Sequence, residues 1–570
     1  MSLNDTDFDI IFAGGGAAAC LTAGRLAAAD PALKILIVEA GPHTQEKLEH
    51  VQPARFLSHM VPDSMTMKFI VSNPSEHLDG RVTVAGAGQC VGGGSSVNFI
   101  MYTRAAASDY DDWETIYKNP GPLKVSWGGA FPNVAQNFLD VAAKYDKGRD
   151  TTDDPNDLFT VNVYARWPKW IDGQTGRRSD VPHHFLYTQQ GNKNLHILTG
   201  SFVKRVVIRN GRAVGVEYVP NARLYPGASP EPVTVYAKKL VVVTGGSFGS
   251  PLILERSGIG AASILERFGV KQIVELPGVD HQGLAPLCRA SEESETLDGL
   301  LRGDPAEAQK WGLQWAKDGS GMMATNGLDA GIKLRPNEAE LRSIGPAFRA
   351  KWNSYYNNAP DKAILWFGCA SFCIGGVAEA PVGKYYGCGC WLLHPSSMGH
   401  VHISSGEDPA APPNWTPGYL EHEDDMELHV FGYKRGREFA RRMACYRGEY
   451  AGQHPAYAKG SPAAVREDPT PVAIDAPEIH YTDEDNIAIR TFVKKHVSTT
   501  WHALGTCAMM PREEGGVVDP RLNVYGVEGL KVGDLSIAPY NVGANTYSTA
   551  LVIAEKTAVI IGEEFGISGI

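Results

Sequence analysis

The chain has 570 residues, of which 43% are hydrophobic and 21% charged, a composition typical of a folded enzyme and not of a disordered chain. This length exceeds what one hydrophobic core usually supports, so we expect two domains or one elaborated two-lobed unit. The formal net charge of −11 is spread along the chain without a basic block, which argues against nucleic acid as a partner.

The N-terminal segment FDIIFAGGGAAACLTAGRLAAADPALKILIVEAG predicts one βαβ unit. Its turn fits the pattern G-x-G-x-x-G/A through Gly14, Gly16 and Ala19. The first glycine permits the turn, the second lets backbone approach a diphosphate, and the helix that begins near Ala17 and Ala18 offers free N–H groups. We predict a strand over 8–13, a helix over about 18–29 and a second strand over 34–39.

Glu39 ends the second predicted strand, 25 positions after Gly14. A carboxylate there can accept both ribose hydroxyls of an adenosine and repel a 2′-phosphate. The alternative is a glycine turn without a ligand, but strand, turn, helix and terminal acid together favour nucleotide binding.

Later segments predict the rest of the same sheet. Asn210-Gly211 indicates a hairpin, and KKLVVVTGG reads as a buried parallel strand. GLKVGDLS repeats the strand pattern near the C-terminus, and Tyr547 to Ile561 predicts a closing helix. The predicted fold is α/β, with a Rossmann-like dinucleotide domain built from residues 1–120, 194–300 and 490–570, and a second, α+β substrate-binding domain built from residues 121–193 and 301–489.

Several polar groups are interpreted as structural. His400 and His402 fit one face of a strand without a third ligand, so no metal site is predicted. The mixed charges of residues 421–442 predict the solvated face of a helix. The nine cysteines lack the spacing of a disulfide framework and indicate reduced thiols.

Three longer motifs carry a family resemblance. GAGQCVGGGSSVNFIMYTRAAASDYDDW and GSFGSPLILERSGIG resemble the two signatures of the glucose-methanol-choline (GMC) oxidoreductases, which bind FAD. Within that family, STTWHALGTCAMMPREEGGVVDPRLNVYGVEGLKVGDLSIAPYNVGANTYSTA and the first motif are most similar to the fungal alcohol (methanol) oxidases. The resemblance implies a GMC-type fold and FAD as the cofactor.

The resemblance also implies the roles of individual residues. His502 would lie near flavin N5 as the base, and Asn545, 43 residues later, would be the second side chain at the reacting carbon. Imidazole suits a base that must take a hydroxyl proton near neutral pH, and an amide can stabilise a developing alkoxide. Phe99 and Trp501 would restrict the substrate pocket. The implied cofactor contacts are Gly14, Gly16, Ala17, Ala18, Glu39, Gly93, Gly94, Ser95, Asn98, Val203, Trp501, Asp534 and Asn545.

The resemblance implies an oxidase that converts a short primary alcohol to its aldehyde and O2 to H2O2. A family dehydrogenase that reduces quinones and an enzyme like the flavin-containing hydroxynitrile lyases are the open alternatives, as is a flavin-free remnant of the fold. The expected partners are a small alcohol and O2, and neither nucleic acid nor a membrane; homo-oligomer formation is left open. An acidic N-terminus without a positive region and a C-terminus without a readable address predict an intracellular protein, peroxisomal or cytoplasmic.

The sequence departs from the family pattern in two loops. LPGVDHQGLAP reaches Asp280-His281 directly after Val279, where relatives carry a glycine-rich stretch, and residues 109–129 omit a segment that relatives spend on helices near the cofactor. Both changes are expected to bear on how fully the flavin is covered. The long insertion and C-terminal tail of the yeast methanol oxidases are also absent.

Overall fold

The computed structural model describes residues 7–111, 122–271, 282–375 and 379–570. The predicted first strand, helix, second strand, hairpin and closing helix all form, each within four residues of its expected bounds. The strands, numbered in chain order, are β1 (Asp7–Ala13), β2 (Ile35–Val38), β3 (Met67–Val71), β4 (Val84–Gly88), β5 (Tyr164–Arg166), β6 (Leu195–Leu198), β7 (Ser201–Arg209), β8 (Arg212–Pro220), β9 (Val233–Val243), β10 (Gln282–Leu284), β11 (Leu287–Ala290), β12 (Ala330–Leu334), β13 (Leu365–Ala370), β14 (Tyr385–Leu392), β15 (His400–His402), β16 (Asn414–Thr416), β17 (Tyr446–Glu449), β18 (Ser498–Thr499) and β19 (Leu530–Val532).

Helices lie between these strands, together with short 3₁₀ and π turns. The α-helices are α1 (Ala17–Ala29), α2 (Leu48–Val51), α3 (Ala107–Asp111), α4 (Asn133–Tyr145), α5 (Gly246–Arg256), α6 (Ala262–Arg267), α7 (Asp298–Leu301), α8 (Pro305–Asp318), α9 (Glu338–Ile344), α10 (Pro346–Lys351), α11 (Glu423–Ala440), α12 (Asp483–His496) and α13 (Tyr547–Phe565). Within the described ranges, no helix is long and apolar enough to cross a membrane.

The first sheet has the order β6-β2-β1-β9-β8-β7, with β19 beside the end of β9. β1, β2, β6, β9 and β19 pair in parallel, and β7 and β8 form the antiparallel hairpin that joins β9. The parallel strands are almost wholly apolar and buried, since α1 and α13 pack together against one face. Arg25 and Glu555 pair between these two helices. The sheet therefore places the carboxyl ends of β1, β2, β9 and β19 at one edge.

The second sheet is antiparallel, with the order β17-β11-β14-β13-β12-β5, and β10 pairs with both β14 and β18. Helices α4 and α11 cover one face, where Phe138, Phe367 and Phe439 form an aromatic core. The opposite face presents Trp366 and Trp391, whose ring centroids are 4.2 Å apart, toward the cavity described below. The core thus sits on one side of this sheet and the cavity on the other.

Helix α11 corrects one sequence prediction, because its charged residues are largely buried and not solvated. Arg437 and Glu449 on β17 are each about 1% exposed and form a bidentate pair, with Nη2 donating to Oε2 at 2.8 Å. Glu438 accepts from Arg441 and Arg442, which directly follow the helix. These charges are paired with partners on α11, β17 and more distant segments, such as Asp146 and Glu340 beside Arg435, which the local charge pattern could not reveal.

Candidate active site

A cavity of about 1110 Å³ lies at the carboxyl edge of the first sheet and extends to the tryptophan face of the second. In open α/β sheets this edge is where ligands bind, because successive loops diverge there. Every residue predicted for the site from the sequence lines this cavity: Gly14, Gly16, Ala17, Ala18, Glu39, Gly93, Gly94, Ser95, Asn98, Phe99, Val203, Trp501, His502, Asp534 and Asn545.

The first glycine turn is shaped by close backbone packing. Gly14 has φ +118°, and a Cβ there would lie 2.4 Å from the Thr244 carbonyl oxygen. The turn leads directly into α1, which carries no acidic residue in its first turn. Its N–H groups and partial positive charge suit a diphosphate.

Glu39 is buried and holds this turn from the end of β2. Its Oε2 accepts from the Gly15 N–H and its Oε1 from the Gly41 N–H, both at 2.8 Å. Burial raises the pKa of Glu39 to about 7, although the two N–H donors oppose that shift. Each carboxylate oxygen keeps a second lone pair that can face the cavity.

A second glycine turn meets the first. Gly92 donates its N–H to the Gly15 carbonyl at 2.8 Å. Gly93 has φ +49°, and a Cβ there would lie 3.0 Å from the Gly16 Cα. Ser95 Oγ donates to the Gly92 carbonyl at 2.8 Å, which closes the turn on itself. The two turns form a narrow wall of backbone against which a flat or extended ligand can lie.

The side chains of His502 and Asn545 contact each other in the cavity. Asn545 Nδ2 donates to His502 Nε2 at 3.2 Å, and His502 Nδ1 lies 3.1 Å from Thr500 Oγ1. Helix α13 has Thr546 as its N-cap, without a side-chain hydrogen bond. The Asn545 side chain, which precedes this N-cap, contacts the imidazole.

Aromatic rings surround this pair. The centroid of Phe99 lies 4.8 Å from that of Trp501 and 4.5 Å from that of Phe56. Trp501 has φ +60°, and its N–H donates to Thr499 Oγ1 at 2.8 Å. A bulky residue in this backbone region is strained, and such strain persists where surrounding contacts fix it. The rings narrow the space beside His502.

The side chain of Asn98 accepts a hydrogen bond from a buried arginine. Arg178 Nη1 donates to Asn98 Oδ1 at 2.8 Å, and the Ile100 N–H donates to the same oxygen at 3.0 Å. Burial lowers the pKa of Arg178 to about 10. Arg178 was not predicted for the site, since its contacts come from the chain fold and not from a local motif.

Two further predicted residues lie at strand ends. Asp534 follows β19, and its Oδ2 accepts from the Gly246 N–H at 2.8 Å and from Ser250 Oγ at 2.6 Å. It thus joins the last strand to the start of α5. Val203 lies on β7 opposite Tyr218 of β8. It is buried and lines the cavity.

Four cations that were not predicted also line the cavity: Lys68, Arg256, Lys333 and Lys495. Burial lowers the pKa of Lys68 to about 8, of Lys333 to about 8 and of Arg256 to about 10. Lys333 Nζ donates to the Arg104 carbonyl at 2.7 Å, and Arg256 Nε donates to the Lys204 carbonyl at 2.7 Å. Neither motif nor spacing marks these residues, because they come from separate strands and helices.

The histidine pair on β15 behaves as a structural element. His402 Nδ1 lies 2.6 Å from Glu255 Oε1, and the two imidazole centroids are 5.4 Å apart. No cluster of three metal-ligating side chains occurs among the described residues. Elsewhere, His183 contacts Asp180 Oδ1 through Nδ1 at 2.5 Å.

The two predicted loop shortenings fall largely outside the described residues. Asp280-His281 and residues 112–121 belong to the segments that the structure does not describe. Their consequences for the cofactor remain predictions.

Family models match most of the chain. Residues 8–140 and 168–279 match the N-terminal model described as GMC oxidoreductase, and residues 395–554 match the C-terminal one. The chain belongs to the GMC oxidoreductase family. The resemblance recognised in the sequence is thereby confirmed, and so is the predicted α/β fold with its Rossmann-like sheet.

Individual members of the GMC family are similar over nearly the whole chain. An alcohol oxidase of Candida boidinii is 41% identical over 99% of this chain and 96% of its own length. Alcohol oxidase 1 of Komagataella phaffii is 38% identical over the same shares. Among solved structures, an FAD-dependent oxidoreductase from Chaetomium thermophilum has a TM-score of 0.80 at 22% identity, covering 98% of this chain and 100% of its own. At that identity the structure supports the shared fold alone.

Proposed function

We propose that this GMC oxidoreductase is an FAD-dependent alcohol oxidase that acts on short primary alcohols. The observation that carries the proposal is the His502–Asn545 pair, 3.2 Å apart, in a cavity that also contains both glycine turns. Alcohol oxidases of two yeasts, 38–41% identical over 99% of the chain, support the same activity.

The cavity fits FAD by its shape and its donor groups. The backbone at Gly14 leaves no room for a side chain, since a Cβ there would lie 2.4 Å from the Thr244 carbonyl oxygen, and the start of α1 beyond it would face a diphosphate. Glu39 can accept from ribose hydroxyls, and the turn at Gly93 and Gly94 offers a flat wall. When bound, FAD supplies a two-electron acceptor that takes a hydride from the carbinol carbon and passes both electrons to O2.

Two side chains of the protein, His502 and Asn545, bind the hydroxyl group of the substrate. A hydroxyl placed between the two side chains can donate to His502 Nε2 and accept from Asn545 Nδ2. As hydride leaves carbon, the hydroxyl proton passes to Nε2, and the amide stabilises the negative charge that develops on oxygen. The overall reaction, RCH2OH + O2 giving RCHO + H2O2, then balances in atoms and electrons.

The substrate side of the cavity favours small alcohols. Phe99, Trp501 and Phe56 pack ring to ring beside the catalytic pair. A pocket discriminates chain length by roughly 1–3 kcal/mol for each methylene it must accommodate or exclude. We infer a preference for methanol-like and ethanol-like substrates.

We also propose that the two sheets have different functions. The first sheet would hold the nucleotide, and the second sheet would form the substrate side of the cavity. This assignment follows the two predicted domains, a nucleotide domain of residues 1–120, 194–300 and 490–570 and a substrate domain of residues 121–193 and 301–489. Because β10 and β11 pair within the second sheet, we propose that its unit begins before residue 282 and not at 301.

The proposals for the cellular compartment and the oligomeric state rest on the sequence. We propose an intracellular protein, peroxisomal or cytoplasmic, supported by nine thiols that are all buried and unbridged within the described residues. Formation of a homo-oligomer is an additional proposal, to be decided by sedimentation of the purified protein.

One experiment separates the proposed activity from its alternatives. The purified holoenzyme is mixed with methanol or ethanol without oxygen, and its flavin absorbance is followed before air is admitted. We expect bleaching, then recovery with one H2O2 formed for each aldehyde. Bleaching with recovery only on adding a quinone would indicate a dehydrogenase, and an unchanged spectrum would indicate the lyase-like or flavin-free alternatives.

A further inference from the structure

Thr103 contacts Asn545 twice at the rim of the cavity. It precedes α3, is 2% exposed and lines the cavity. The Asn545 N–H donates to Thr103 Oγ1 at 2.8 Å, and Thr103 Oγ1 donates to Asn545 Oδ1 at 2.9 Å. One hydroxyl therefore binds both the backbone and the side chain of the residue that faces His502.

These two bonds define which way the amide of Asn545 points. The backbone N–H occupies a lone pair of the Thr103 oxygen, and the hydroxyl hydrogen goes to Oδ1. With Oδ1 held by Thr103, the amide nitrogen is left facing His502 Nε2 at 3.2 Å. A reversed amide would leave the buried hydroxyl hydrogen without the Oδ1 acceptor, which opposes the reversal.

The direction of the amide in turn selects the tautomer of His502. An amide nitrogen can only donate, so the Nε2 atom that receives its hydrogen is unprotonated. The imidazole proton then resides on Nδ1, which lies 3.1 Å from Thr500 Oγ1. Nε2 is the atom that must be unprotonated to take a proton from an alcohol.

We propose that Thr103 is a positioning residue that keeps His502 Nε2 ready to accept a proton, acting through the amide of Asn545. The proposal rests on the alcohol oxidase function proposed above. Without the hydroxyl, the amide can turn its oxygen toward His502 and favour a hydrogen on Nε2, which is the wrong tautomer for a base.

Two substitutions at Thr103 distinguish the effect of its hydroxyl on the orientation of the Asn545 amide from the effect of its methyl group on packing. Thr103→Val keeps the shape and removes the hydroxyl, whereas Thr103→Ser keeps the hydroxyl and removes the methyl group. Ser548→Ala is the matched control, because Ser548 Oγ donates to the Thr103 carbonyl at 2.7 Å without touching the amide. All are purified as holoenzymes and compared for FAD content and thermal midpoint.

The first readout is the rate of anaerobic flavin reduction by methanol or ethanol. We expect Thr103→Val to slow it by roughly 10- to 100-fold, the scale of losing a group that orients a reacting imidazole. Thr103→Ser should restore the rate to within about threefold of wild type, and Ser548→Ala should stay within that range. Equal losses in the valine and serine variants, or wild-type reduction in the valine variant, would overturn the proposal.

The second readout does not depend on turnover. In holoenzyme labelled with ¹⁵N in its histidine rings, the Nε2 resonance of His502 is assigned by its loss in His502→Gln. We expect the shift of an unprotonated nitrogen in the wild type and in Thr103→Ser, and movement toward a protonated nitrogen in Thr103→Val. An Nε2 resonance unchanged in Thr103→Val would contradict the proposal, while a wild type that alcohol cannot reduce would instead refute the proposed function.

Discussion

At the scale of single residues, the proposed selectivity for small alcohols rests on one group of aromatic rings. Phe99 fills the space between Phe56 and Trp501, and its carbonyl accepts from Asn326 Nδ2 at 2.6 Å. The backbone there is thus anchored independently of the ring. Removing the ring should enlarge the pocket without displacing the chain.

We expect Phe99→Ala to raise kcat/KM for butanol relative to methanol by about tenfold, since one pocket contact typically discriminates by that amount. The ratio is obtained from peroxide release with each alcohol. Phe159→Ala, at a side chain that is 70% exposed and outside the cavity, serves as the control. An unchanged ratio in Phe99→Ala would mean that the ring does not border the substrate.

The sequence could suggest candidate residues for the site but not their hydrogen-bond partners. His502 and Asn545 fall within motifs that resemble those of the family, so their proximity could be anticipated. Thr103 also lies inside a recognised motif, yet its partner Asn545 is 442 residues away along the chain. Only the folded chain brings the hydroxyl and the amide together.

At the scale of elements, α11 depends on a buried ion pair. Arg437 and Glu449 are each about 1% exposed, and further carbonyl groups of Ala463 and Ala464 accept from the same guanidinium. Without Glu449, the buried guanidinium would lose its counter-ion and keep only neutral carbonyl acceptors, which is costly.

We expect Glu449→Ala to lower the free energy of unfolding by about 3–5 kcal/mol. Denaturant unfolding of the variant and wild type measures the difference. Asp468→Ala breaks the pair between Asp468 and Arg466, whose side chains are 52% and 38% exposed, and should leave the free energy of unfolding nearly unchanged because solvent screens the pair. Similar losses for both variants would show that burial of the Arg437–Glu449 pair is not decisive.

Elements with local signals were predicted well, and those defined by distant packing were not. The βαβ unit, the Asn210-Gly211 hairpin and α13 follow from turn residues and apolar runs within one segment. The polar sequence of α11 instead resembles a solvated helix, because its partners on β17 and the following loop are not visible in its own pattern.

At the scale of the whole molecule, Glu39 couples stability to pH. Its pKa is about 7 in the folded protein against an ordinary value of 4.5, so the folded state holds the proton more tightly than the unfolded state. Stability linked to this group is complete below pH 4.5 and is lost as the pH rises toward 7.

In protein stripped of FAD, we expect this loss to amount to about 3 kcal/mol across that interval. Unfolding is measured against pH for wild type and Glu39→Gln, which cannot ionise there. Glu231→Gln, at an exposed position between β8 and β9, controls for the loss of one charge. Parallel curves for wild type and Glu39→Gln would contradict the assignment.

The two-sheet architecture was anticipated in outline, because alternating elements predict a parallel sheet and the family motifs imply a second unit. The exact pairing of the second sheet was not, since β10, β11, β17 and β18 are short strands without a distinctive pattern. Of these strands, β10 and β18 line the cavity, through Gly283 and Leu284 and through Ser498 and Thr499.

The proposed function requires His502 as the proton acceptor, and the anaerobic reduction of flavin by methanol or ethanol in His502→Ala, followed in a stopped-flow spectrophotometer, tests that role. We predict that the variant binds FAD as the wild type does, while flavin reduction slows by at least about 10²-fold. Reduction at the wild-type rate by a variant with full FAD content would contradict the central claim.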